Sequence, residues 1–438
     1  MGHAEVRAVK PVTINPLKMS APLGGALAFM GLDRCLPLLH GAQGCTAFGL
    51  VLMVRHFREA IPFQTTALNE VQTILGGTDN LEQAILTIHG RAKPAVIGIC
   101  STGLVETRGE DIPGDLRLIR ARHPELAGTA LVFAPTPDFI GGLEQGWSRA
   151  VTAMIETLAE PALRCEPDRV NLLAGCQLTP GDIEELRELA EAFGLRLTVL
   201  PDLSGSLDGH VPEQYIATTF GGTTVEDIAG LGRARWTLAV GEHMRAPAEA
   251  LEKRTGVPFV LFDRLTGLEP CDRLVTALAA ISDAPVPARV RRQRSQLVDA
   301  MLDGHFHFGG RKIALAGEPD LLVALTCWFR EMGAEIQVAV APTASPALAA
   351  LSGVAVTVGD LDDLERAAAG ADLLVSHSHG RQAAARLGVP LFHAGFPQFD
   401  RLGAAHRRSV GYRGTRDLIF EIGNILMEQD DHAPAQAC

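Results

Sequence analysis

Short apolar runs alternate with amphipathic stretches along almost the whole chain. The runs at 35–39, 95–100 and 130–134 are rich in Leu, Ile, Val and Ala and end in turn residues. That is the pattern of strands buried on both faces. Around them, 46–57, 81–90, 115–122 and 146–157 place apolar side chains three and four apart, which predicts helices. The pattern then recurs, with strands expected at 170–174, 195–200, 236–240 and 259–262. Thr179-Pro180-Gly181-Asp182 puts a cap ahead of a proline at the first helical position. A helix should therefore follow to Phe193, and Gly194 stops it. Two more helices are expected at 224–231 and 247–255.

Asp283-Ala284-Pro285-Val286-Pro287 interrupts the pattern. The helix after it carries Val290, Leu297, Val298, Met301 and Leu302 on one face, with Arg289, Arg291 and Arg292 largely off it. Strands at 313–316, 335–339, 373–375 and 390–393 and a closing helix at 415–427 complete the chain. Strand–helix alternation of this kind predicts an α/β protein with mostly parallel sheets, in three units at 1–162, 163–286 and 287–438. There is no tandem repeat of ~20–50 residues.

Composition narrows the function. Of 438 residues, 39 are Lys or Arg and 51 are Asp or Glu, a net charge of -12. Such a surface argues against nucleic acid or an anionic membrane as the main partner. No apolar run approaches the ~20 residues of a membrane helix. The first ten residues have no apolar core of a signal peptide, so the expected location is cytoplasmic. The eight cysteines are Cys35, Cys45, Cys100, Cys165, Cys176, Cys271, Cys327 and Cys438, and none forms a CxxC pair. In a reducing compartment they are not expected to be disulfides. A metal held by any of them must draw its other ligands from far along the chain or from another chain.

Ligands of open α/β sheets bind beyond the carboxyl ends of strands. Three segments lie there. Leu39-His40-Gly41-Ala42-Gln43-Gly44-Cys45-Thr46 leads from a strand into an apolar helix and puts Cys45 near its first turn. Free N–H groups there favour a thiolate and suit an anionic iron–sulfur cluster. A small residue closing a tight turn would look the same. Pro201-Asp202-Leu203-Ser204-Gly205-Ser206-Leu207-Asp208-Gly209-His210 could grip a small polar ligand or simply make turns. Ser376-His377-Ser378-His379-Gly380 could chelate a metal, or cap a helix and face solvent. His305 and His307 carry no stronger signal. Arg55-His56-Phe57-Arg58-Glu59 is either a basic patch for an acidic partner or cluster, or a solvated helix end. GxGxxG, GxxxxGK[ST] and GxSxG motifs are all missing, and no acid–base pair is assignable.

Asn15-Pro16-Leu17-Lys18-Met19-Ser20-Ala21-Pro22-Leu23-Gly24 followed by His40-Gly41-Ala42-Gln43-Gly44-Cys45 resembles the β-type subunits of nitrogenase-like proteins. Arg55–Glu59, Asn69-Glu70, Gly76-Gly77, Thr136-Pro137-Asp138-Phe139, Phe396-Pro397-Gln398-Phe399-Asp400-Arg401 and Gly411-Tyr412-Arg413-Gly414 extend the match. Thr65-Thr66-Ala67 and the 201–210 loop are similar to the branch that builds the iron–molybdenum cofactor, not to the catalytic β subunit. The catalytic subunit supplies three cysteines to its eight-iron P-cluster. The matching positions here hold Ser20, Cys45 and Gly103, and Cys100 stands three residues before the last of them.

The resemblance implies a fold of three Rossmann-like domains around a shared cleft, as in the β subunit of the nitrogenase molybdenum–iron protein. It implies an α2β2 heterotetramer with a NifE partner. Cys45 and three NifE cysteines would hold a [4Fe–4S] cluster at the subunit interface. The iron–molybdenum cofactor precursor would sit mainly on NifE. The nitrogenase iron protein and the precursor donor would dock transiently. This chain would then be a scaffold with no catalytic residue of its own. Two reductase readings compete: a catalytic nitrogenase β subunit, opposed by Ser20 and Gly103, and a dark-operative protochlorophyllide reductase subunit, opposed by the 201–210 loop. A stand-alone Rossmann-type binding protein or sugar-nucleotide enzyme rests on fold analogy alone.

Overall fold

The computed structural model describes residues 7–8 and 15–432. Its strands are β1 (Arg7–Ala8), β2 (Cys35–His40), β3 (Gln64–Thr65), β4 (Val96–Ser101) and β5 (Ala130–Ala134). They continue as β6 (Glu166–Leu173), β7 (Arg196–Leu200), β8 (Ala234–Val240) and β9 (Phe259–Phe262). The last are β10 (Lys312–Ala316), β11 (Glu335–Ala341), β12 (Val356–Val358), β13 (Leu373–Ser376) and β14 (Leu391–His393). They form three sheets, ordered β3-β2-β4-β5, β7-β6-β8-β9 and β1-β12-β11-β10-β13-β14. Every pairing in the first and third sheets is parallel. Among the described residues no helix is long and apolar enough to cross a membrane.

The chain packs as two compact units, with one holding the first two sheets (19–183 and 196–261) and the other the third (7–8, 15–18, 184–195 and 262–432). In the first unit, Leu36, Leu38, Ile97, Ile99 and Leu131 of the sheet meet Leu81, Ile85, Leu116 and Ile119 of helices Thr78–Ala92 and Ile112–Arg122. Each such side chain contributes ~2 kcal/mol when taken out of water. The opposite face of β4 rests on helix Ala21–Met30, where a Cβ on Gly98 would come 2.3 Å from the Phe29 ring.

Helix Ala21–Met30 is buried on every side. The apolar pattern did not predict it because it has no polar face, and Pro22, Gly24 and Gly25 look like turn residues. The glycines serve close packing instead. A Cβ on Gly24 would lie 2.0 Å from the Leu143 carbonyl oxygen, and one on Gly146 would lie 1.8 Å from that of Ala21. Helices Ala21–Met30 and Leu143–Leu158 therefore meet backbone to backbone. Trp147 of the second helix donates to the Ala174 carbonyl (2.9 Å), tying the first sheet to the segment after β6.

The third sheet packs Ala314, Ala316, Val338, Val340 and Leu374 beneath Leu364, Ala383 and Ala384. Helix Ala288–Phe308 buries Val290, Leu297, Ala300, Gly304 and Phe308. Leu302, expected on that face, is 67 % exposed. It lies five residues past Leu297, about 140° around the helix. Helix Leu268–Ser282 was not expected, and the 224–231 stretch resolves into a short helix Val225–Ala229 and a 3-10 turn Gly230–Arg233.

Candidate functional site at the β2–β4–β5 edge

Parallel register sets His40 opposite Ser101 and Cys100 opposite Ala134, so β2, β4 and β5 end together. Three turns gather at this edge. Thr102 donates from its amide (3.2 Å) and its hydroxyl (3.1 Å) to the His40 carbonyl. Thr136 donates its hydroxyl to the Ser101 carbonyl (2.7 Å), and its amide donates to Ser101 Oγ (2.9 Å). Ser101 in turn donates to Glu106. Gly41 is required by this closeness, because a Cβ there would come 2.5 Å from Thr102 Cγ2.

The helix after β2 runs Gln43–Phe57, three residues earlier than its apolar periodicity suggested. Cys45 therefore lies inside its first turn. Ala42, the N-cap, makes no side-chain capping bond. The thiol is exposed. Phe48 (67 % exposed) and Val51 follow it along the helix, and Phe139 (60 % exposed) and Ile140 are also bare. Gly103 holds the Asp138 carboxylate close, since a Cβ at 103 would come 2.1 Å from its Oδ1.

The helix start was expected to favour the thiolate. The net effect is the reverse: partial shielding of the sulfur raises the Cys45 pKa, Asp138 adds to the rise, and a hydrogen bond from its own amide only opposes it. A soft metal bound to the thiolate would displace the proton. An exposed thiol at a strand edge suits iron–sulfur chemistry, but it is one donor. Cys100 is buried beside Gly25 and Thr136, with its thiol pushed up to about 12 by burial. Cys35 is also buried and pushed up. Ser20 precedes helix Ala21–Met30 as its N-cap and makes no side-chain capping bond. Cys438 lies outside the described residues.

Sequence reasoning missed the groups behind the turn. His40 is fully buried, and its ring meets Thr66 Oγ1 at 3.0 Å and Glu110 Oε2 at 3.1 Å. Burial holds His40 below the ordinary histidine pKa despite Glu110. The motif contained His40, but its partners lie 26 and 70 residues away.

The other candidate segments fold onto themselves. In the 201–210 loop, Asp202 Oδ1 accepts from the Ser204 amide (3.0 Å) and hydroxyl (2.5 Å), and His210 pairs with Asp208. Gly209 donates to Glu59 (3.0 Å), which joins the loop to the basic segment at the end of helix Gln43–Phe57. His377 does cap a turn, with Nδ1 accepting from the His379 amide (3.2 Å), but it does not face solvent. It is 3 % exposed, and burial with His379 alongside lowers its pKa to about 4. Its Nε2 donates to the Leu17 carbonyl (3.4 Å). His305 is exposed on helix Ala288–Phe308 and His307 is half-buried.

Residues 20–427 match the family described as nitrogenase component 1 type oxidoreductase. The chain is 55 % identical over 428 residues to the nitrogenase iron-molybdenum cofactor biosynthesis protein NifN of Bradyrhizobium diazoefficiens, covering 96 % of this chain and 91 % of that protein. It is 49 % identical over 422 residues to the NifN of a Nostoc strain, covering 96 % and 95 %. A solved structure, "Nitrogenase Cp1 at pH 6.5", superposes with a TM-score of 0.92 at 30 % identity, covering 99 % of this chain and 97 % of that one. The chain belongs to the nitrogenase component 1 type oxidoreductase family, where it groups with the NifN members.

Proposed function

We propose that this chain is the β-type subunit of a NifEN scaffold, on which the iron–molybdenum cofactor of nitrogenase matures. The observation that carries the reading is the exposed Cys45 thiol at the β2–β4–β5 edge. It stands in a chain similar over nearly its whole length to proteins named for cofactor biosynthesis. Cys45 supplies one ligand to a [4Fe–4S] cluster, and three cysteines of the NifE subunit supply the rest. The cluster, when bound, relays single electrons.

The chain's own residues hold and shield that group. Helix Gln43–Phe57 presents the sulfur. The bare Phe48, Val51, Phe139 and Ile140 are apolar side chains suited to burial against the partner. Subunits paired over these side chains form an α2β2 cytoplasmic complex, which the nitrogenase iron protein and the precursor donor visit. The precursor rests mainly on NifE, and no residue here makes or breaks substrate bonds. Among the described residues Cys45 is the lone thiol exposed at this edge, which also separates the scaffold from a catalytic β subunit, which needs three cysteines.

The test is anaerobic co-purification with NifE, followed by iron counting and EPR, for the wild type and Cys45→Ala. One four-iron cluster per heterodimer, lost or altered in the variant, is expected. An unchanged cluster would sink the Cys45 assignment, and an eight-iron centre would favour the catalytic reading.

A further inference from the structure

Behind the Cys45 turn lies a directional chain of hydrogen bonds, buried at Thr66 and part-buried at Glu110. Glu110 accepts from Arg108, from the Gly77 amide (3.1 Å) and from His40 Nε2 (3.1 Å). A carboxylate that only accepts assigns the tautomer: Nε2 of the neutral ring carries the hydrogen and Nδ1 is the acceptor. Thr66 has one hydroxyl hydrogen and two acceptors in range, His40 Nδ1 at 3.0 Å and the Gly41 carbonyl at 3.4 Å. The shorter contact takes it. The Thr66 oxygen is then left to accept the Gly41 amide at 3.1 Å. Charge order therefore runs from Glu110 through His40 and Thr66 to the first residue of the turn that presents Cys45.

We propose that Glu110, His40 and Thr66 form a positioning relay for Cys45, an inference that rests on the cluster reading above. The relay fixes the Gly41 amide and hence the path of the turn into helix Gln43–Phe57. Two observations show why the turn needs it. Its N-cap residue, Ala42, offers no side-chain bond of its own, and Gly41 is a glycine pressed against Thr102. The other end of the relay is anchored as well, because Arg108 also donates to the Gln72 carbonyl (2.9 Å) of helix Glu70–Leu75. His40 is a positioning residue, since its ring nitrogens are both engaged inside the chain.

The experiment uses the complex with NifE. Thr66→Val removes the hydroxyl at nearly constant shape, and Thr66→Ser restores it. Two readouts are taken: the EPR g-values of the loaded complex, and iodoacetamide labelling of Cys45 after iron is removed by a chelator. Cys165, exposed in the same unit, is the internal control. Thr66→Val should shift the g-values and speed Cys45 labelling about fivefold, the factor one net hydrogen bond is worth. Cys165 labelling should not change, and Thr66→Ser should return both readouts to wild type. Glu110→Gln, a second variant of similar shape, should move both readouts the same way as Thr66→Val. The relay is overturned by wild-type g-values and labelling in both disruptive variants, by equal acceleration at Cys165, or by Thr66→Ser behaving as Thr66→Val. A wild-type complex that carries no cluster would sink the cluster reading, and the labelling comparison would still decide the relay.

Discussion

At the end of β2 the chain turns through Gly41 and leaves Cys45, Phe48 and Val51 facing outward. At the end of β13 it turns through Ser376–Gly380 and folds His377 and Ser378 inward. Both edges are carboxyl ends of parallel strands, and both carry residues that bind metals elsewhere. The second edge is closed by its own chain. Ser378 bonds Asp400, Asp400 bonds His393 (3.1 Å), and His377 is held by Leu17 and the His379 amide. The first edge satisfies its polar groups from behind, through His40 and Thr66, and leaves a soft donor among apolar side chains in front. A histidine pair one residue apart is thus weaker grounds for a site than one cysteine on an uncovered surface.

The open edge depends on the platform beneath it, so the largest expected effect comes from disturbing that platform. Gly146→Ala would drive a methyl group to 1.8 Å from the Ala21 carbonyl oxygen. Backbone cannot step aside as a side chain can. The two helices must separate, at a cost of ~3 kcal/mol, the upper end of what over-packing usually costs. A loss of that size in thermal or urea unfolding is expected. A variant as stable as the wild type would show that the helices under the open edge are not in backbone contact.

The next effect belongs to the closed edge and comes from pH. His377 stays neutral in the fold down to about 4, whereas an unfolded histidine takes up its proton near 6.5. Between those values the unfolded chain binds more protons. Stability is therefore full above about pH 6.5 and falls as pH drops toward 4, by up to ~3 kcal/mol. Buried His40 and His393 are shifted the same way, so the informative quantity is the difference from His377→Gln. The variant should show a flatter loss between pH 7 and pH 5 in urea titrations. Parallel profiles would mean that the closed edge does not depend on a neutral His377.

Much of this was legible in the chain. Strands β2, β4 and β5 are apolar runs up to their last residues, and such runs have few alternatives to a buried parallel sheet. The place of Cys45 in the first turn of a helix was legible because its motif is local. The relay was not, because Thr66 and Glu110 reach His40 only after β3 and helix Gly103–Arg108 are in place. Helix Ala21–Met30 escaped for a related reason, since an element apolar on all sides has no period to read. The fate of His377 and His379 was also illegible, because nothing local shows that Leu17 will meet the first ring and Phe399 the second.

The smallest expected effect sharpens the comparison by showing what does not close an edge. Arg386 and Glu365 form a two-pronged ion pair on the outer surface of the third sheet's helices (2.6 and 2.5 Å). The pair lowers the Glu365 pKa and raises that of Arg386. Its geometry is better than that of any bond His377 makes. Yet the Arg386 side chain is 60 % exposed, and an exposed pair loses in side-chain freedom and salt screening most of what it gains in attraction. Arg386→Ala should therefore leave the thermal midpoint unchanged at moderate salt, while His377→Gln lowers it at neutral pH. If Arg386→Ala proved the more damaging of the two, the closed edge would be held by its charged rim and not by the buried histidines behind it.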